Sequence, residues 1–362
     1  MTLIDQLVKP SVKELKPYEA VEPPPGVVEL DANENLLVDE RWAKEILLRA
    51  AQGVDPRSYP PAYGREAVKA LSRHLAVDEK ALAVNNGSDE FIDLVFKAFV
   101  SPGDEVVIVE PTFEIYGLMA KVAGAMVKRV LVDADFKLNV EGVLEATGQR
   151  TKLIFLCSPN NPTGVQYSPE EVRKVAEECK CLVVVDEAYV DFAEKTVMNL
   201  ALELDNILVL RSFSKTAGMA GLRIGYALAS PHIIETLRKV DLPFRVSGVA
   251  QKALALVLEE WNKVGLFLRK VKEERERLFN ELSSINGLKP YPSQANFFLV
   301  RVVKEGFTSR RVYESLLRRG LLVRDRGHLP MLENCLRITV GTREVNRRLL
   351  EALREVMEAA QS

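Results

Sequence analysis

The chain has 362 residues, of which 47% are hydrophobic, and its 49 Lys and Arg nearly balance 51 Asp and Glu for a formal charge of -2. That length suits one large or two unequal domains around sizeable cores, and the balanced charge argues against nucleic acid or an acidic membrane surface as a partner. With no run of about 18 apolar residues and no basic-then-apolar N-terminus, a cytoplasmic protein without membrane spans is expected.

The four cysteines (Cys157, Cys179, Cys181, Cys335) include a C-x-C at a predicted helix-to-strand junction. Its spacing does not suit a zinc ribbon, so all four read as reduced and structural. Three scattered histidines (His74, His232, His328) form no metal-binding or relay pattern. No metal site is expected.

Residues 1–35 read as an arm. Pro10, Pro17 and the Pro23-Pro24-Pro25-Gly26 run disfavour helix. L-K-P-Y, ending at Tyr18, and the polar cluster around Asn33 would each pass for surface loop. A helical pattern from Arg41 to Gln52 leads to the stiff loop P-R-S-Y-P-P-A-Y-G, which carries Tyr59. The strand expected at 81–84 turns through Asn85-Asn86-Gly87-Ser88-Asp89 into an amphipathic helix with Phe91, Ile92, Val95, Phe96 and Phe99 on one face. Such a turn presents backbone N–H groups, and so an anion site, at Ser88 and Asp89.

Apolar strand runs recur at 105–109, 128–132, 152–157, 182–185, 207–210 and 225–229. Most alternate with helical sequence, as at Ser168-Pro169-Glu170-Glu171, a capping box with proline at the first helical position. This alternation predicts a three-layer α/β/α large domain over 36–240 with a mainly parallel seven-stranded sheet. In such sheets ligands bind beyond the carboxyl ends of the strands. Phe113, Asn161, Asp186, Tyr189 and Lys215 all stand there.

Lys215 lies in R-S-F-S-K-T-A-G-M-A-G-L-R-I-G-Y, where Ser212, Ser214 and Arg223 put hydroxyls and a cation around an amine. A lysine buried beside other cations loses its proton more readily and can then bond covalently to an aldehyde. Pyridoxal phosphate offers an aldehyde and a phosphate together. Nucleotide signatures of the G-x-G-x-x-G and G-x-x-x-x-G-K-[ST] types are absent. Residues 241–362, which open with a hinge at Leu242-Pro243-Phe244-Arg245, read as a smaller α+β domain. Its strands are expected at 296–302, 321–324 and 336–340, and two of them carry Arg324 and Arg337.

The ordered set L-K-P-Y, D-A-N-E-N, R-S-Y-P, N-G-S-D-E, P-T-F-E-I-Y, S-P-N-N-P-T-G, V-D-E-A-Y, the Lys215 segment, L-V-R-D-R and L-R-I-T-V-G-T-R-E spans nearly the whole chain. It resembles the fold-type I pyridoxal-phosphate transferases, and within them the histidinol-phosphate aminotransferase family. The resemblance implies that Lys215 holds the cofactor covalently, Asp186 pairs with its ring nitrogen, Asn161 and Tyr189 bond its ring hydroxyl, and Phe113 stacks on the ring. Ser88, Asp89, Ser212, Ser214 and Arg223 would take the phosphate. Tyr59 would reach the phosphate of a neighbouring subunit, implying a homodimer with shared sites. For the substrate it implies Tyr18, Asn33, Arg324 and Arg337, binding histidinol phosphate and glutamate or 2-oxoglutarate. An aromatic or broad-specificity aminotransferase and a phospho-amino-acid decarboxylase of the same fold stand as alternatives. Leu36-Leu37 and Arg245 depart from the family pattern at the expected pocket mouth.

Overall fold

The computed structural model describes residues 3–17 and 23–358. Seven strands form the central sheet: β1 (Leu82–Asn85), β2 (Glu105–Glu110), β3 (Met126–Leu131), β4 (Thr151–Cys157), β5 (Leu182–Asp186), β6 (Ile207–Ser212) and β7 (Gly225–Ala229). Their spatial order is β1-β7-β6-β5-β4-β2-β3, and only β7 runs against the rest. The carboxyl ends of β1, β2, β4, β5 and β6 therefore lie along one edge, from which the chain enters β7. The five residues of β5, Leu-Val-Val-Val-Asp, are all buried because helices cover both faces. A fully buried Val or Leu contributes roughly 1.5–3 kcal/mol, which fixes this strand at the sheet's centre.

Helix boundaries follow local chemistry. Ser168 and Glu171 form the reciprocal capping box that opens the helix Pro169–Glu178. Thr308 Oγ1 accepts from the Arg311 N–H to start Ser309–Arg318. The small sheet is antiparallel, ordered Arg324–Asp325, Cys335–Thr339, Phe297–Val302, Leu288–Pro290. The helices Ser309–Arg318, Arg343–Glu358 and the end of Trp261–Ser283 cover it, burying Leu278, Leu282, Val312, Leu349 and Leu353. The helix Gly248–Glu259 packs instead on Glu40–Gln52 and Arg65–Leu75 and shares the apolar core of the large sheet.

The arm differs from the irregular segment expected. It contains two short helices, Leu3–Leu7 and Pro10–Lys13; the proline in the second stands in the first turn, where its missing N–H costs nothing. Val28–Glu29 then pairs in parallel with Leu321–Leu322. The strand expected over 321–324 is thus divided, with Leu321–Leu322 held by the arm and Arg324–Asp325 by Cys335–Thr339. Among the described residues no helix is long and apolar enough to cross a membrane.

Candidate active site

Where the carboxyl edge of the large sheet faces the small sheet, the chain encloses a cavity of about 270 Å³. Ser212 ends β6, and its Oγ accepts the Ser214 N–H at 3.2 Å, opening the one-turn helix Phe213–Thr216 that carries Lys215. Lys215 Nζ donates to the Ala32 carbonyl at 2.6 Å. The arm supplies that carbonyl because Thr339 Oγ1 accepts from the Asn33 N–H and donates to the Leu30 carbonyl, at 3.1 and 2.8 Å. Burial, and after it the Arg337 guanidinium, lower the Lys215 pKa from 10.5 to about 8.

Asp186 is the last residue of β5 and is 4% exposed. Tyr116 donates its hydroxyl to Oδ2 at 2.6 Å, and the Ala188 N–H donates to Oδ1 at 3.0 Å. Burial nevertheless raises its pKa to about 6, since two hydrogen bonds do not replace full solvation of a carboxylate. Phe113 forms a wall of the cavity and meets Tyr116 edge-on at 5.6 Å; Tyr116 in turn stacks on Phe155 at 4.6 Å. Asn33 Nδ2 donates to the Tyr189 hydroxyl at 3.0 Å, and burial pushes that phenol up to about 12.

An anion cradle closes one end of the cavity. The helix Ser88–Phe99 begins behind Gly87 with no side-chain cap, so its first N–H groups remain available. Arg223 lies beside it, with Nη1 3.4 Å from Ser214 Oγ and Nη2 3.3 Å from Asp89 Oδ2. Glycines make the approach possible. A Cβ on Gly87, whose φ is +80°, would sit 2.8 Å from Arg223 Nη2, and one on Gly225 would sit 2.5 Å from the Ser88 nitrogen.

Cations line the small-sheet side. Arg324 and Arg337 are cross-strand partners, so both side chains stand on the same face. Arg337 Nη1 donates to Asn161 Oδ1 at 2.6 Å, and Nη2 donates to the Asp31 carbonyl. Burial and the neighbouring Arg326 lower the Arg337 pKa to about 10, which leaves it charged at neutral pH. Arg324 Nη1 lies 3.9 Å from Asp31 Oδ2.

The cavity thus gathers Asn33, Ser88, Asp89, Phe113, Asn161, Asp186, Tyr189, Ser212, Ser214, Lys215, Arg223, Arg324 and Arg337. Tyr59 is not among them. It is 82% exposed, with its ring 4.8 Å from that of Phe244. Tyr18 lies outside the described residues. The two departures from the family pattern are accommodated as packing: Leu36 and Leu37 rest against separate apolar clusters, and Arg245 pairs with Glu90 and Asp241. Sequence reasoning passed over Tyr116, the Ala32 carbonyl and Arg326. Tyr116 and Arg326 stand inside the motifs P-T-F-E-I-Y and L-V-R-D-R, but an inward tyrosine on a helix reads as core, and a backbone carbonyl leaves no trace in a sequence.

These residues fit pyridoxal phosphate. Asp186 is a buried acid that among the described residues is bonded by Tyr116 and the Ala188 N–H and by no cation, the uncapped helix end and Arg223 suit a phosphate, and burial lowers the Lys215 pKa to about 8. When bound, the cofactor supplies an aldehyde to the amine and a ring that draws electrons from the substrate's α-carbon. Asp186 would stand toward the ring nitrogen and favour its protonation, Phe113 would offer the ring an aromatic wall, and Arg223 with the helix end would hold the phosphate. A site of that kind, set at the carboxyl edge of this sheet, places the chain in the class of fold-type I pyridoxal-phosphate-dependent enzymes.

Residues 25–353 match the family model for aminotransferase class I and II, and the chain belongs to that family. It is 36% identical over 359 residues to the histidinol-phosphate aminotransferase of Caldanaerobacter subterraneus subsp. tengcongensis, covering 98% of this chain and 100% of that protein. The corresponding protein of Bacteroides thetaiotaomicron is 37% identical, with 98% and 99% covered. Among solved structures, histidinol-phosphate aminotransferase from Sinorhizobium meliloti in complex with pyridoxal-5'-phosphate superposes with a TM-score of 0.88, at 25% identity and 97% coverage of both chains.

The lowered pKa of Lys215 has a measurable consequence in the cofactor-free protein. An amine reacts with aldehydes only when neutral, so capture of an aldehyde reagent at Lys215 should rise as pH increases through about 8 and level off above it. At pH 8 an ordinary lysine is neutral only on the order of 0.3% of the time, so Lys215 should react roughly 10²-fold more often. Peptide mapping after reductive trapping across pH 6–10 checks this; a rate still climbing tenfold per unit above pH 9 would show that the amine is unperturbed.

Proposed function

We propose that this aminotransferase moves the amino group between L-histidinol phosphate and 2-oxoglutarate/glutamate, a step of histidine biosynthesis, as a cytoplasmic homodimer with shared active sites. The observation that carries the substrate assignment is the register pair Arg324–Arg337 on the wall of the Lys215 cavity. Histidinol phosphate carries a phosphate and no α-carboxylate, whereas glutamate brings two carboxylates. A planar guanidinium pairs bidentately with either anion, so one wall serves both half-reactions.

In this reading Lys215 binds the cofactor and, once the substrate amine takes its place, Nζ accepts the proton from the substrate's α-carbon and returns it on the other side of the reaction. Asp186 supports that transfer from the ring nitrogen, and Tyr189 and Asn161 hold the ring hydroxyl. Ser88, Asp89, Ser212, Ser214 and Arg223 anchor the phosphate, supplying binding energy for orientation. Asn33 and Tyr18 would complete the substrate contacts. The chain would divide into an arm over 1–35, a large domain over 36–240 and a small domain over 241–362, although the helix Gly248–Glu259 packs on the large domain.

Rates with histidinol phosphate, phenylalanine, tyrosine and aspartate, each with 2-oxoglutarate, test the assignment. Histidinol phosphate should be preferred, and Arg324→Ala should lower its kcat/KM by about 10- to 100-fold, the cost of a lost charged hydrogen bond. An Arg324→Ala variant that keeps full histidinol phosphate kinetics but loses aromatic amino acid turnover would move the assignment to an aromatic aminotransferase.

The exposed Tyr59 supports the dimer. Mixing inactive Tyr59→Ala and Lys215→Ala subunits should restore activity, because one site of each hybrid keeps both side chains. No recovery in verified hybrids would mean that each site is built within one chain.

A further inference from the structure

Beside the active cavity lies a larger chamber of about 700 Å³, bounded by the arm at Leu15–Pro17, the helix Ile115–Ala123 and the turn after Arg324–Asp325. Arg337 lines only the inner cavity, whereas Arg324 and Arg326 line both spaces and so stand at their junction. Arg326 is 7% exposed. Among the described residues its side chain makes one hydrogen bond, from Nη1 to Glu114 Oε2 at 2.7 Å, and its Nε is buried without a partner. A guanidinium has five N–H donors, so Glu114 leaves most of them unused.

The position of Arg326 is held from both sides. Its backbone N–H donates to the Cys335 carbonyl at 2.8 Å, and Asp325 Oδ1 ties down the turn by accepting from Ser309 Oγ and the Gly327 N–H at 2.8 and 3.0 Å. Glu114, one residue after Phe113, reaches across from the large domain and also meets His328 Nε2 at 3.3 Å. A surface ion pair would not require this framing.

We propose that Arg326 is a substrate-phosphate ligand oriented by Glu114, and that it makes the site favour a phosphate ester over a carboxylate. The inference rests on the histidinol phosphate reading. In glutamate the anionic carboxylate is bonded directly to the α-carbon; in histidinol phosphate a methylene takes that place and the phosphorus stands further out, beyond an ester oxygen. With the α-carbon held over Lys215, Arg337 is the partner for the nearer anion. The longer group extends toward the junction, where Arg324 and Arg326 meet a dianion that needs more than one cation. Glu114 offsets the charge of Arg326 when no phosphate is present, and its Oε2 fixes the plane of the fork.

The test compares histidinol phosphate with histidinol, the same amine without its phosphate, in wild type, Arg326→Gln and Arg326→Lys, each with 2-oxoglutarate. The ratio of kcat/KM for histidinol phosphate to that for histidinol should fall by about 10- to 100-fold in Arg326→Gln and by less in Arg326→Lys, which keeps the charge but not the fork. A purely structural role would lower both rates together and leave the ratio at its wild-type value, which overturns the proposal. Should Arg326→Gln fail to fold, Arg326→Lys decides by the same ratio. A wild-type enzyme that does not favour histidinol phosphate over histidinol would instead defeat the underlying assignment, an outcome visible before any variant is made.

Discussion

Lys215→Ala should bind pyridoxal phosphate without covalent attachment and lose turnover by about 10³-fold or more. Two losses combine in this variant. The amine whose pKa falls to about 8 is the group that can bond to the cofactor near neutral pH. In the proposed mechanism the same nitrogen, held 2.6 Å from the Ala32 carbonyl, is also the positioned base; removing a positioned base alone typically costs about 10²–10⁴-fold. An alanine variant should regain part of the rate with added small amines, which replace the proton carrier but not the tether. Borohydride should reduce no cofactor onto the variant protein. Substantial turnover in Lys215→Ala without added amine would remove Lys215 from the mechanism.

Asp186→Asn should be the next most damaging change, with kcat reduced by about 10²–10⁴-fold. The geometry makes this a charge effect. An amide keeps the size of the side chain and can accept from the Ala188 N–H while its NH2 donates to the Tyr116 oxygen, but it brings no negative charge to a buried position. Without that charge the pocket would lose the carboxylate proposed to favour protonation of the ring nitrogen, on which withdrawal of electrons from the α-carbon would depend. Tyr116→Phe should do much less, because it removes one hydrogen bond and leaves the carboxylate. The check is a rate comparison between the two variants at equal cofactor saturation. A Tyr116→Phe loss as large as that of Asp186→Asn would mean that orientation, and not charge, is what Asp186 contributes.

The site residues that sequence reasoning picked out are those whose positions depend on local pattern. A β-branched run followed by a polar turn marks a strand end, and Phe113, Asn161, Asp186, Tyr189 and Lys215 all stand at such ends around one cavity. The parallel sheet aligns those ends because its strands point one way, so a local signal becomes a spatial one. What stayed hidden depends on contacts between distant segments. Val28–Glu29 is too short for any periodicity and exists as a strand only because Leu321–Leu322 offers it an edge. The Ala32 carbonyl reaches Lys215 through a tie to Thr339, more than 300 residues away. Arg326 is separated from Arg324 by a single residue in the same motif, yet its burial and its bond to Glu114 arise only when the two sheets face each other. The tyrosine of L-K-P-Y, Tyr18, lies outside the described residues.

Transfer of a nitrogen label from histidinol phosphate to 2-oxoglutarate reports the proposed reaction itself. The protein, loaded with pyridoxal phosphate, is incubated with histidinol phosphate carrying ¹⁵N in its amino group and with unlabelled 2-oxoglutarate, and the products are read by mass spectrometry. ¹⁵N-glutamate should form in equal amount to the ketone derived from histidinol phosphate, with no label passed when Lys215→Ala replaces the wild type. Histidinol phosphate left unconsumed, while phenylalanine or tyrosine labelled in the same way yields ¹⁵N-glutamate, would contradict the proposed reaction.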